Sequence, residues 1–143
     1  MQELQADDPG LIGPYRVVGR LGSGGMGRVF LGRSPGGRLL AIKVIRAELA
    51  GDPEFRARFR REVSAARSVS GLFTAPVVDA DTEAPVPWLA TAYIAGSSLA
   101  DTVTRHGPLP ATSVLALAAG LAEGLLAIHR QAWCTGTSSH RTC

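Results

Sequence analysis

The sequence predicts an α+β fold in which an antiparallel sheet comes first and helices follow. Three strand-like segments separated by glycine-rich or proline-rich turns open the chain, at 15–21, 28–33 and 39–45. One amphipathic helical segment, two more strand-like segments and then two helical segments follow in that order. No strand–helix–strand unit precedes the first turn, so the pattern does not indicate a parallel sheet with crossover helices.

Each predicted element has a local reason. The first strand is entered through Gly13 and Pro14, glycines turn the chain into the second strand, and a Ser-Pro-Gly-Gly turn separates the second strand from the third. A helix is predicted from Asp52, a capping residue followed by proline and glutamate, to about Val69. The remaining predictions are strands at 75–79 and 88–94 and helices at 99–104 and 110–130.

Composition limits the classes of protein that fit. A chain of 143 residues, 45% hydrophobic and 19% charged, suffices for one domain with a core. A net charge of +3 is too small to indicate nucleic acid or an anionic membrane as a partner. The N-terminus is acidic, and the longest apolar run, 111–128, contains polar residues at helical spacing. We therefore expect no signal peptide and no membrane segment.

The cysteines indicate the compartment. The only two, Cys134 and Cys143, lie close to the end of the sequence. They provide neither a disulfide framework nor the spacing of a metal site, so a reducing compartment is the default. We expect a cytoplasmic location.

The turn between the first two strands is rich in glycine. It reads Gly22-Ser-Gly-Gly-Met-Gly27, a GxGxxG pattern. Glycine lets the backbone approach a phosphate closely, adopt positive φ and direct N–H groups at an anion. The pattern alone is weak, because glycine-rich hairpins are common. A dinucleotide site of the Rossmann type would need these glycines to open a helix, whereas strand-forming residues follow them. The hairpin is therefore predicted to cover a phosphate chain.

Two charged residues are predicted to face the interior. Lys43 lies in an otherwise apolar strand, on the face shared with Ala41, and Glu62 shares a helix face with Phe55 and Phe59. Taken singly, each has an ordinary alternative, a lysine that reaches water or a solvated helix glutamate. Two inward charges of opposite sign each need a partner. Together they predict an ion pair between helix and sheet.

These motifs resemble a known family. The segments LGSGGMGRV at 21–29 and AIK at 41–43, with Glu62 nineteen residues after the lysine, resemble the N-terminal lobe of eukaryotic-type serine/threonine protein kinases, especially actinobacterial members. The resemblance implies a kinase-like N-lobe of five antiparallel strands and one helix, followed by the first helices of an incomplete C-lobe. It also implies ATP and Mg²⁺ as cofactors and transfer of the γ-phosphate to a protein Ser or Thr hydroxyl.

The resemblance also implies roles for single residues. The glycines of the turn would cover the ATP phosphates, and Lys43 would hold the α- and β-phosphates while paired with Glu62; these two residues are the candidate catalytic pair. Leu21, Val29 and Ala41 would form an apolar roof over adenine, Thr91 would be the gatekeeper, and the backbone of Ala92, Tyr93 and Ile94 would read the adenine edge. The candidate nucleotide-binding residues are Leu21, Gly22, Ser23, Gly24, Gly25, Met26, Gly27, Arg28, Val29, Ala41, Lys43, Thr91, Ala92, Tyr93 and Ile94.

The resemblance stops near residue 130. It divides the chain into a tail (1–14), an N-lobe with hinge (15–96), the start of a helical C-lobe (97–130) and a non-homologous tail (131–143). An HRDLKPSN-type catalytic loop and a DFG metal site would follow in the family, and neither motif occurs in this sequence. One allowed set of codons for residues 132–143, read in a shifted frame, translates as GVVHRDLKPSNV. We therefore hypothesise a frameshift near residues 129–131 and expect this truncated chain to be inactive in phosphotransfer.

Two other functions are alternatives to this interpretation. One is a non-catalytic ATP-binding or docking module of the pseudokinase kind. The other takes the helix arginines, at positions 56, 58, 60, 61 and 67, as a nucleic-acid patch. Arginines on the outer face of an amphipathic helix are usually only solvated, and the aromatic residues among them, Phe55 and Phe59, are predicted to lie on the inward face with Glu62, where they would not stack on bases. We therefore expect no nucleic-acid partner.

Overall fold

The computed structural model describes residues 2–25, 27–69, 71 and 73–136, and the side chains as far as residue 130. Met26, one of the candidate nucleotide-binding residues, and residues 137–143 of the expected non-homologous tail lie outside the described residues. The chain forms two compact units. The first comprises Met1–Arg67 and Ala75–Tyr93, and the second comprises Ser68–Thr74 and Ile94–Cys143.

The first unit contains a six-stranded antiparallel sheet with the strand order β1-β2-β3-β4-β6-β5. The α+β prediction is confirmed, and the five predicted strands are all present. The sixth, β1, lies in the segment that the sequence analysis assigned to a tail, because two residues are too short to show an alternating pattern. The strands are β1 Leu11–Ile12, β2 Tyr15–Ser23, β3 Gly27–Arg33, β4 Leu39–Ile45, β5 Val77–Asp81 and β6 Trp88–Ala92.

Four helices are described, α1 Ala47–Ala50, α2 Pro53–Ser68, α3 Leu99–His106 and α4 Ala111–Gly136. The predicted cap of α2 is present, because the Asp52 carboxylate accepts hydrogen bonds from the Glu54 N–H at 2.9 Å and the Phe55 N–H at 3.4 Å. The single turn α1 was not predicted, since four residues show no helical period. Helix α4 extends past the predicted end at residue 130.

Alternation along β4 divides the core of the first unit into two clusters. Leu40 and Ile42 are fully buried on one face of the sheet, in a cluster with Phe30 of β3. Ile45 is buried on the opposite face, where Phe59 of α2 packs against it. Because side chains alternate along a strand, Lys43 must lie on the same face as Ile45. The sheet therefore presents its lysine to the helix.

The second unit has little buried apolar surface. In α4, Gly120 is the only buried residue among those whose side chains are described, and a Cβ there would lie 3.0 Å from the Phe73 ring. Leu115 and Leu121 are 71% and 58% exposed. The stretch Ala111–Arg130, with a mean hydropathy of 1.8, is long and apolar enough to cross a membrane by length and composition alone. Core helices of water-soluble proteins meet the same criterion.

Candidate functional site

The register of the sheet brings four of the candidate residues onto one face. Lys43 of β4 lies opposite Val29 of β3, and Ala41 lies opposite Thr91 of β6. Directly paired residues of antiparallel strands direct their side chains to the same face, so all four share the face on which α2 packs. The Thr91 hydroxyl lies 3.5 Å from the Ala41 carbonyl oxygen. The sequence-based grouping of these residues therefore agrees with the register.

An ion pair joins the sheet to α2 on this face. Lys43 Nζ lies 2.5 Å from Glu62 Oε1, as the sequence predicts. The two side chains are 31% and 44% exposed, so water screens the pair and its contribution to stability is about 1 kcal/mol or less. An ammonium group has three N–H donors, and Glu62 accepts one of them. No other described residue accepts from Lys43, which leaves donors for an anion.

Helix α2 is anchored at its N-terminal end by a side chain whose role the sequence did not reveal. The Arg56 guanidinium donates to the carbonyl oxygens of Ala50 at 2.6 Å, Thr82 at 3.1 Å, Ala84 at 2.9 Å and Pro85 at 3.0 Å. The expectation that Arg56 belongs to a solvated outer face is therefore wrong. Helical periodicity places a residue on a face, but it does not show that a loop distant in sequence supplies carbonyl groups there.

The four glycines of the turn differ in whether the surrounding protein leaves space for a side chain. A Cβ on Gly27 would lie 2.1 Å from the Val44 carbonyl oxygen, so close packing of β3 on β4 requires glycine there. A Cβ on Gly22, Gly24 or Gly25 would meet no described atom within 4 Å. None of these three has a positive φ, contrary to that part of the expectation. Packing within the described protein therefore gives no reason for them, and the space beside them fits the close approach of a phosphate.

The turn is closed by two polar contacts. The Gly24 N–H donates to the Gly27 carbonyl at 2.9 Å across the turn. The Arg46 guanidinium donates to the Gly24 carbonyl at 3.1 Å. Ser23, the last residue of β2, is exposed beside them. Arg46 directly follows β4, so the tip of the turn is tied to the strand that carries Lys43.

The prediction that Arg28 binds the nucleotide is wrong for its side chain. Arg28 lies opposite Val44 in the ladder, and therefore on the sheet face opposite to Lys43. Its guanidinium contacts Asp7 at 2.8 Å and Asp8 at 3.3 Å. The Arg28 side chain is thus held away from the Lys43 face by two carboxylates, and only its backbone remains a candidate for phosphate contact. The motif resemblance did not distinguish side chain from backbone at this position.

Among the residues whose backbone is predicted to contact the adenine edge, Ala92 and Tyr93 already use their N–H groups in hydrogen bonds within the protein. The Ala92 N–H donates to the Pro76 carbonyl at 3.0 Å, and the Tyr93 N–H donates to the Leu39 carbonyl at 3.4 Å. These two N–H groups are therefore not free to read a base, although the Ala92 and Tyr93 carbonyls remain candidates. Ile94 belongs to the second unit and is 70% exposed, and its role stays a prediction.

The apolar surface that is predicted to cover adenine is partly formed within the first unit. Leu21 lies where the pairing of β2 with β3 is irregular, between Arg20 and Gly22, and it is half-buried. Val29 and Ala41 are also half-buried. Side chains left partly open on one face can contact an apolar ligand, which fits the role that the resemblance implies for them.

Two buried polar groups were missed by the sequence analysis. The Asp8 carboxylate is fully buried and bonded to Arg20, whose hydrogen bond holds the pKa of Asp8 below its usual value. The Tyr15 hydroxyl donates to the Asp79 carboxylate at 2.9 Å, and burial, followed by this hydrogen bond, raises the pKa of Tyr15. A tyrosine at the buried end of a strand does suggest a polar partner. Nothing in the local pattern identifies Asp8.

A metal site is not formed by the described residues. Among the side chains that the structure describes, which end at residue 130, no group of three or more His, Cys, Asp or Glu residues could hold a metal ion. The catalytic-loop and DFG motifs that supply the Mg²⁺ ligands in the family do not occur in the sequence, so the residues present do not provide that ligand set for the Mg²⁺ that the resemblance implies.

Comparison with known proteins identifies the family. The protein kinase domain model matches residues 15–134. The probable serine/threonine-protein kinase PkwA of Thermomonospora curvata is 60% identical over 129 residues, which are 90% of this chain and 17% of that protein. The serine/threonine-protein kinase AfsK of Streptomyces coelicolor is 58% identical, over 90% of this chain and 16% of that protein. The chain thus spans about one sixth of the length of these curated relatives.

A solved structure shows the same fold. The kinase domain of Mycobacterium tuberculosis PknI superimposes with a TM-score of 0.71 at 31% identity, over 89% of this chain and 54% of that one. The family model covers most of the chain, and the relatives share its sequence at high identity. This chain belongs to the protein kinase domain family, among bacterial serine/threonine protein kinases.

Proposed function

We propose that this chain binds ATP on the sheet face that carries Lys43, as the N-terminal part of a serine/threonine protein kinase that transfers the γ-phosphate to protein hydroxyls. The observation that carries the proposal is the Lys43–Glu62 ion pair, on the α2 face of the strand next to the glycine-rich hairpin. ATP and Mg²⁺ are used generally by the family. The proposed location is the cytoplasm, since the two cysteines suggest no disulfide framework.

The described residues support distinct roles in binding. Lys43 would donate its remaining N–H groups to phosphate oxygens, and Glu62 would hold the ammonium in place. The open space beside Gly22 and Gly24 would let backbone N–H groups approach the same phosphates. Val29, on the same face, would contact the apolar surface of the base. In this arrangement the chain binds and orients the triphosphate.

We propose that the chain by itself does not transfer phosphate. Phosphoryl transfer depends on positioning the acceptor hydroxyl and on neutralising charge with bound metal. The catalytic-loop and DFG motifs that perform these tasks in the family do not occur in the 143 residues. The alternative, a non-catalytic ATP-binding or docking module, shares the binding step. Incubation with Mg²⁺, γ-labelled ATP and a serine-rich protein should transfer no label, and transfer above background would contradict this part of the proposal.

The chain offers a direct test of ATP binding, because Lys43 is its only lysine. An amine-reactive reagent can therefore modify only Lys43 and the N-terminal α-amine, and mass spectrometry distinguishes the two. Saturating ATP should slow the modification of Lys43 about tenfold, because a bound phosphate would pair with the ammonium group and shield it from the reagent. The α-amine serves as the internal control and should react at the same rate throughout. Equal rates at Lys43 with and without ATP would contradict binding.

A matched pair of variants checks the assignment by a second method. Lys43→Met should weaken ATP binding in calorimetry by about 10- to 100-fold, because a charge-assisted contact with phosphate is lost. Arg105→Met removes the same charge from the exposed end of α3 and should leave the affinity unchanged. Equal affinities for the two variants would show that ATP binds elsewhere.

A further inference from the structure

The segment 2–12, which precedes the predicted first strand, is fastened to β2 at both ends; we call it the N-terminal strap. Gln2 exchanges two backbone hydrogen bonds with Arg20, at 2.8 and 3.1 Å. At the other end β1 pairs with the start of β2, and the Val17 N–H donates to the Gly10 carbonyl at 3.0 Å. The strap therefore runs alongside the strand that leads into the glycine-rich turn.

The centre of the strap is a buried carboxylate that contacts both strands of the glycine-rich hairpin. Asp8 Oδ1 lies 2.5 Å from the Arg20 guanidinium of β2 and 3.3 Å from the Arg28 guanidinium of β3. The Gln5 N–H donates to the second oxygen at 2.9 Å. The Asp8 side chain is 0% exposed and that of Arg20 is 9% exposed, so water screens their pair little. One carboxylate thus cross-links the two arms of the hairpin.

Besides the β2–β3 ladder, which extends to Ser23 and Arg28, and the hydrogen bond from the Gly24 N–H to the Gly27 carbonyl, the turn has few other restraints. The glycines at 22, 24 and 25 contact no described atom at the position of a Cβ, so packing does not fix them. The Arg46 contact with the Gly24 carbonyl is made by an exposed side chain. The Arg20 Nε–H is buried without a partner among the described residues, so loss of Asp8 would leave that guanidinium poorly compensated. The two arms, which remain joined by their ladder, would then lose the carboxylate that ties both of them to the strap.

We infer that Asp8 is a positioning residue for the glycine-rich turn: through Arg20 and Arg28 it holds the hairpin where the turn can cover the ATP phosphates. This inference rests on the proposed function for its ligand. Asp8 lies on the Arg28 side of the sheet, so it would not contact a phosphate bound on the opposite face, where Lys43 lies. An aspartate is already ionised at neutral pH, and the hydrogen bond from Arg20 lowers the pKa of Asp8 further.

The test compares Asp8→Asn with Asp7→Asn in the whole chain. Both variants remove one negative charge from adjacent positions, but Asp7 is 59% exposed and contacts Arg28 alone. Asp8→Asn should accelerate amide hydrogen exchange at residues 21–28 about tenfold or more, as loss of a buried charge-assisted bond implies, with little change at 39–45. It should also weaken ATP binding by about the same factor. Asp7→Asn should change each quantity less than about threefold.

The outcomes separate a positioning role from general stabilisation. Asp8→Glu keeps a carboxylate and should recover part of the protection at 21–28. Equal acceleration over the whole sheet, or none at 21–28, would overturn the inference. If Asp8→Asn does not fold, Arg28→Gln replaces it, because this variant keeps the buried Asp8–Arg20 pair and removes the link to β3. Arg28→Gln must then accelerate exchange selectively at 21–28, and its failure to do so would equally overturn the inference.

The exchange measurement needs no nucleotide, which keeps the two proposals distinguishable. If the unmodified chain protects Lys43 from modification with ATP but Asp8→Asn changes neither exchange nor affinity, the positioning role fails and ATP binding stands. If ATP protects nothing while Asp8→Asn still accelerates exchange at 21–28, the anchor is supported and the nucleotide assignment fails.

Discussion

The two compact units differ in where their apolar side chains lie. In the first unit, Phe30, Leu40 and Ile42 are between 0% and 1% exposed, and both faces of the sheet are covered over part of their area. In the second unit, Leu115 and Leu121 of α4 are 71% and 58% exposed. The chain therefore contains one unit that encloses its own core and one whose main helix finds little to pack against among the described residues.

This difference indicates which unit governs stability. Burial of apolar area is the main favourable term in folding, and it scales with the area removed from water. The first unit removes that area within itself, and the ion pair of Lys43 with Glu62 lies there as well. The exposed face of α4 contributes little to folding and carries an association risk, because large exposed apolar patches tend to aggregate.

The largest test of this comparison removes one large side chain from each unit. Phe30→Ala should lower the free energy of unfolding by about 3–5 kcal/mol, because it leaves a cavity in a packed core. Leu125→Ala, at a residue 54% exposed, should change it by about 0.5 kcal/mol or less. Urea unfolding followed by circular dichroism measures both. Comparable losses would show that α4 is packed in solution and would break the comparison.

A smaller effect is expected at the glycine-rich turn, where a matched pair lies inside the first unit. Gly27→Ala should lower the free energy of unfolding by about 1–3 kcal/mol, because its Cβ would overlap the Val44 carbonyl in the β3–β4 ladder. Gly24→Ala has open space and should be near neutral in stability. Thermal unfolding distinguishes them. Equal melting temperatures would mean that the strands separate at Gly27 without penalty.

The smallest expected effect concerns one hydrogen bond at the edge of the same core. Tyr15→Phe should lower the free energy of unfolding by about 0.5–1.5 kcal/mol at neutral pH, because the hydrogen bond to Asp79 is lost. Burial and this bond raise the pKa of Tyr15, so folding favours the protonated phenol.

The raised pKa gives this prediction its pH dependence. The stabilisation from protonated Tyr15 is complete below the unfolded pKa of about 10 and is lost as pH rises through the higher folded value. The unmodified chain should therefore lose more stability than Tyr15→Phe does as the pH is raised above about 10. Urea titrations at several pH values measure the difference. Parallel curves for the two proteins would contradict the buried environment of Tyr15.

Local patterns account for the parts that sequence analysis predicted. The bounds of β4 agree with the apolar segment at 39–45, and the Asp52 cap begins α2 as expected. The pairing of Lys43 with Glu62 followed from two inward charges that each needed a partner. Alternation, helical period and capping are properties of neighbouring residues, so one sequence suffices to detect them.

Most of the features that the sequence did not predict are polar contacts between residues distant in the chain. The bond between Asp8 and Arg20 and the bonds from Arg56 to the loop at 82–85 join residues 12 and about 26–29 positions apart. Neither set of contacts produces a periodic pattern in the sequence. Arg28 was assigned to the nucleotide by its place in a motif, although its strand parity directs the side chain to the other face. Val29, the next residue of the same strand, was assigned to the side of Lys43, so alternation along β3 already places Arg28 on the other face.

The hydrogen bonds of Arg56 fix only the N-terminal end of α2. Its guanidinium fastens the first turn of the helix to four carbonyl groups, whereas Glu62 lies six residues further along, about 9 Å at 1.5 Å per residue. A tilt of about 20° around Arg56 would carry the Glu62 backbone about 3 Å, which is enough to separate its carboxylate from Lys43.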